Sequence, residues 1–133
     1  MSNPMKAYQR VRITTASPAE LVVLLFDGLA RFVGMAADAV AEERAADAGK
    51  NFERALEIVG HLRESLDESV SPALVGSLDR TYILWTRALI KAQVERDAEA
   101  TRTVGAQVIE MADAWRTAAA AVPASHPARV GAQ

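Results

Sequence analysis

Two Ser-Pro pairs constrain this chain more than any other feature. In Ser17-Pro18-Ala19-Glu20 the serine can cap a helix, the proline occupies its first position, and the glutamate can reach back to the cap, the parts of a capping box. Ser71 and Pro72 repeat the serine and the proline. Proline is tolerated at that place because the N–H it lacks would have found no partner inside the helix. Two helices are therefore expected to open at residues 18 and 72, and whatever lies between must connect them.

Apolar residues recur between these points at Phe52, Ala55, Leu56, Val59, Leu62 and Leu66, the spacing of one helical face. This predicts a helix from Ala48 to Asp67, separated from the first by Ala45 to Lys50, with Asp47 as its candidate cap and Gly49 as a weak helix former. After Leu89 the pattern runs on to Val94. Asp97 then caps a last helix whose inner face is Val104, Val108, Met111 and Trp115. Helices of roughly 20 to 27 residues with short connections become antiparallel neighbours. The expected fold is all-α, an up-down-up-down four-helix bundle over residues 17–121. An N-terminal arm (1–16) precedes it, and the tail (122–133), with its prolines and no periodicity, is expected to be disordered.

The first helix is greasier than one buried face requires. At about 100° per residue, Glu20, Asp27, Arg31 and Asp38 share one polar strip, with Leu21, Leu25, Phe32 and Ala39 centring one apolar face and Val22, Phe26, Leu29 and Val33 extending it. The helix after Pro72 carries an inward stripe of Leu74, Leu78, Tyr82, Trp85, Leu89 and Ala92. Ile83, Ile90 and Val94 form a second stripe on another side. Two readings stand: a central helix with scattered surface apolars, or a groove for an apolar or amphipathic partner. In the second, Met5, Tyr8, Val11 and Ile13 of the arm could cover part of the groove.

Composition removes several function classes. The 133 residues include no cysteine, which excludes disulfides, thiolate metal sites and a cysteine nucleophile. Acids and bases are interleaved at a formal net charge of −2, so no basic stripe invites nucleic acid. The longest apolar run, Leu21 to Phe26, falls far short of the ~18 residues of a membrane span, and the N-terminus lacks a secretory signal; a cytoplasmic protein without membrane insertion is expected.

Glu57, His61 and Glu64 have metal-ligand spacing on one helix but point away from its apolar face, which makes them a solvated surface. Neither His61 nor His126 has a partner for nucleophilic catalysis, and Gly28 and Gly34 sit in a helix interior, not in a phosphate loop. Neither an enzyme nor a cofactor or metal is expected. Asp27, beside an apolar arc, calls for a basic partner such as Arg31.

The segment from Tyr8 to Phe32, with Tyr8, Thr15-Ala16-Ser17-Pro18, Glu20-Leu21, Leu25 and Asp27-Gly28, resembles the start of the flagellar secretion chaperone family FliS. The likeness extends through Phe52 to Asp67, Ser77 to Asp97 and Trp115, about residues 6 to 116. Phe26 stands where the family has a tyrosine, and Ala92-Gln93 where it often has Ala-Asn. The resemblance implies a cytoplasmic chaperone that binds the C-terminal segment of flagellin, keeps it from polymerising and delivers it to the flagellar type III export machinery. It implies that the arm is a removable cover; together with the surplus apolar surface read above, this makes Tyr8, Val11, Ile13, Val22, Phe26, Leu29, Ile83, Ile90 and Val94 the expected client contacts. From another class, a bundle with an internal small ligand or metal would need inward polar residues on several helices, and a homodimer would use the second stripe as a self-interface.

Overall fold

The computed structural model describes residues 18–67 and 71–121. Four helices make up nearly all of this: α1 (Pro18–Ala41), α2 (Ala45–Glu64), α3 (Pro72–Glu95) and α4 (Ala98–Ala121). The Ser17 cap, the arm and the tail lie outside the described residues. Around the bundle α1 packs extensively against α2 and α4, while α3 closes the ring with lighter contacts to the same two helices, diagonally opposite α1. All consecutive helices run antiparallel, as short connections dictate.

Two of the expected caps are in place. The Leu74 N–H donates to Ser71 Oγ at 3.3 Å, and the Ala100 N–H to Asp97 Oδ1 at 2.9 Å. The turn from α1 to α2 is tighter than expected, however, and Asp47 is not a cap. Helix α2 already begins at Ala45, which leaves Asp47 in its first turn, where its carboxylate takes the Arg44 guanidinium at 2.6 Å. Arg44 also binds Glu42 at 2.9 Å, and hydrogen bonds to Glu42 and then Asp47 raise its pKa further. Both this turn and the one after α3 are Schellman closures: Arg44 N–H donates to the Ala39 carbonyl at 2.8 Å and Asp97 N–H to that of Ala92 at 2.9 Å. The left-handed residue that each closure needs is Glu43 (φ 57°) and Arg96 (φ 53°), not glycine.

The core is filled by Phe26, Leu29 and Val33 of α1, Phe52, Val59 and Leu62 of α2, Tyr82, Trp85 and Leu89 of α3, and Val104 and Val108 of α4, with alanines between them. Phe26 lies at its centre. Its ring is 6.3 Å from Tyr82, 6.2 Å and edge-on from Trp85, and 6.4 Å and stacked from Trp115. The Trp85 indole N–H is satisfied by Gln107 Oε1 at 2.9 Å. Met111 and Trp115 pack on the margin of the core, while Thr101 is fully buried and donates its hydroxyl to the Asp97 carbonyl at 2.8 Å.

The polar strip of α1 faces the seam with α4. Asp27 pairs with Arg116 through two hydrogen bonds of 2.8 and 3.0 Å, and Asp38 pairs with Arg102 at 3.0 Å. The expected Asp27–Arg31 pair is thus replaced: Arg116 projects from the facing helix, and the Arg31 guanidinium lies 5.0 Å from the centre of the Phe32 ring. Close approach of α1 and α4 is permitted by Gly105, where a Cβ would come within 3.3 Å of Val33 Cγ1. Gly34 has open space around it and plays no such part; at Gly28 a Cβ would just touch Ile58 Cδ1, at 3.4 Å.

Candidate functional site

The residues expected to meet a partner fall into three groups. Tyr8, Val11 and Ile13 lie outside the described residues. Phe26 and Leu29 expose none of their surface. The centre of the α1 apolar arc is therefore consumed by the bundle itself, because α1 is flanked by α2 and α4 and reaches α3 across the core, while Leu21, Leu25 and Phe32 keep part of their surface exposed. In this conformation neither side chain presents a contact surface. Val22 is partly buried, Ile83 is half-buried, and Ile90 and Val94 are 48% and 77% exposed.

The second stripe of α3 is real exposed apolar surface, and its setting can be built from the helix register. Arg63 Nε donates to Asp79 Oδ1 at 2.8 Å, which fixes how α2 and α3 face one another. Counting back along the antiparallel pair sets Gly60 level with Tyr82 and so beside Ile83, Leu56 level with Thr86, Glu53 level with Leu89 and so beside Ile90, and Gly49 level with Gln93. Added Cβ atoms at Gly49 and Gly60 would meet nothing within 4 Å. The flank of α2 nearest the stripe thus carries no bulk at two positions, and a shallow groove runs between the helices, with half-buried Leu56 and Ile83 as its floor.

A second apolar feature lies at the end of the bundle where α1 and α3 begin. An open cavity of about 150 Å³ is lined by Val22, Leu62, Leu66, Leu74, Leu78, Tyr82 and Trp115, with Ser65 and Ser71 at its edge. Leu74, expected to point inward, is 48% exposed because it stands at this opening. Burial pushes the Tyr82 phenol up to about 12, so the ring stays neutral here. Pro18, where the arm joins, is one turn from Val22.

Leu84 (62% exposed) and Ile109 (53%) are further exposed apolar side chains that the pattern did not single out. Glu57, His61 and Glu64 are all exposed and turned away from the core, with His61 Nδ1 3.7 Å from Glu64 Oε1. Among the described residues no three potential ligands converge on a metal position, and no helix is long and apolar enough to cross a membrane.

Comparison with known proteins identifies the family of this bundle. The family model described as flagellar protein FliS matches residues 1–122. The flagellar secretion chaperone FliS of Bacillus subtilis is 29% identical over 118 residues, covering 89% of this chain and 87% of that protein. FliSB of Pseudomonas aeruginosa, also a flagellar secretion chaperone, is 31% identical over 115 residues, 84% of this chain and 91% of its own length. The Escherichia coli FliS is 30% identical over 105 residues, 78% of this chain and 77% of that protein. By the match of the family model along nearly its whole length, the chain belongs to the FliS family of flagellar proteins.

Proposed function

We propose that this protein is a flagellar export chaperone that holds the C-terminal segment of flagellin in apolar grooves, in the cytoplasm, and presents it to the flagellar export gate. Its relatives are secretion chaperones, not enzymes. The observation that carries the reading is the exposed run of Ile90 and Val94, continued by half-buried Ile83, beside the bare glycine flank of α2. A disordered guest that seats apolar side chains there gains roughly 25 cal/mol for each Å² of apolar surface removed from water, less the cost of ordering its chain. The net affinity can be tight and still reversible, without ATP.

In this reading Ile83, Ile90 and Val94 touch the guest directly. Val22 serves at the cavity, and the arm with Tyr8, Val11 and Ile13 covers apolar surface until the guest displaces it. Phe26 and Leu29 support the site from within the core. Isothermal titration of the full chain with a flagellin C-terminal peptide tests the proposal: binding in the micromolar range or tighter supports it, and the absence of heat at tens of micromolar refutes it. Ile90→Asp is expected to weaken binding at least about tenfold, because it would set a carboxylate against apolar guest surface.

A further inference from the structure

The groove between α2 and α3 has rims of opposite charge. Its α3 rim carries Arg80, Arg87 and Lys91, which the helical period sets in one exposed row just outside Ile83, Ile90 and Val94. Its α2 rim carries Glu53, Glu57 and Glu64, with Lys50 beyond them at the far end. Among the described residues Arg80, Arg87, Lys91, Glu53 and Glu57 have no ion-pair partner. Among the described residues the one ion pair that crosses the groove is Arg63–Asp79, near its end.

Among the described residues the charged rims are the strongest feature that distinguishes the two directions in which a guest could lie. An apolar floor attracts without regard to direction. The dipoles of antiparallel α2 and α3 oppose each other along its length. The rims differ in charge, and reversing a helical guest exchanges its left and right flanks. We propose that these rims fix the polarity of the bound segment: the guest is an amphipathic helix whose apolar face seats on Ile83 and Ile90, with carboxylates along the flank over Arg87 and Lys91 and basic side chains along the flank over Glu53 and Glu57. This rests on the chaperone reading above and names the chemistry of its guest. The reversed pose brings like charges together on both sides, so it is disfavoured as well as unrewarded.

The test uses the full chain, the flagellin C-terminal peptide and titration calorimetry at low salt. R87E/K91E and E53K/E57K are each expected to weaken binding about fivefold, with the loss fading as salt is raised, since the pairs are exposed. The fourfold variant should recover affinity with the guest reversed. A nitroxide at the guest N-terminus would then broaden amides at the opposite end of the groove from those it broadens in the wild type. A peptide with its flanking acids and bases exchanged, bound to unaltered protein, should reverse likewise, which keeps the test independent of how the variants fold.

If both double variants bind within about twofold of wild type, or the label stays at the same end, the rims do not set polarity and the inference falls while the chaperone reading survives. If the wild type binds no flagellin peptide, the chaperone reading falls and the inference with it. A rim reversal that shifts the thermal melt of the guest-free protein but not its guest affinity would show the rims serving the chain itself, and would also overturn the inference.

Discussion

At the scale of single residues, the two apolar stripes of α3 separate stability from binding. Trp85 is buried, edge-on to Phe26 and hydrogen-bonded to Gln107, so Trp85→Ala leaves a cavity and loses that hydrogen bond. Denaturant unfolding should show a loss of about 3–5 kcal/mol. Ile90→Asp touches only the open face and should leave unfolding within about 0.5 kcal/mol of wild type. Tyr82 gives a pH signature. Its folded pKa is raised from 10.0 to about 12, so its contribution to stability is complete below the unfolded value and is lost as pH climbs from 10 towards 12. Unfolding followed across that window should show an alkaline decline that is smaller in Tyr82→Phe. The paired stripes were legible from spacing alone, but the burial of Phe26 and Leu29 was not. A helical wheel tells which way a side chain points and is silent on which helix stands there to receive it.

At the scale of elements, helix beginnings were written more plainly than helix ends. Ser71-Pro72 and Asp97 place a side-chain oxygen where a free N–H waits, and both caps form. The ends of α1 and α3 need a left-handed residue, for which glycine is the usual signal, and here Glu43 and Arg96 take that conformation instead. With that signal missing, spacing predicts a start at Ala48 with Asp47 as the cap, whereas α2 opens at Ala45. The same substitution of glutamate and arginine for glycine leaves strain in both turns. Glu43→Gly and Arg96→Gly should each raise stability by roughly 0.5–1 kcal/mol in urea unfolding, the relief of the Cβ clash outweighing the added freedom of the unfolded chain. Gly34→Ala, in open space within α1, should raise it by a similar amount, about 0.5–1 kcal/mol. Asp27→Ala breaks only a half-exposed ion pair and should cost less than about 1 kcal/mol, with the cost shrinking in salt.

At the scale of the whole molecule, the helices are held unequally. Helix α1 is packed extensively on both sides, whereas α3, which carries the exposed stripe and the basic rim, makes the lighter contacts. Amide exchange should therefore be slowest in the centre of α1 and faster along α3, and a bound guest should slow α3 more than α1. With the outer apolar stripe of α3 left bare, the bundle resembles a joint cut to receive one more timber. A guest laid along α3 would brace the weakest side, so the melting temperature should climb with guest concentration, and the protein that carries cargo would be sturdier than the one that waits for it.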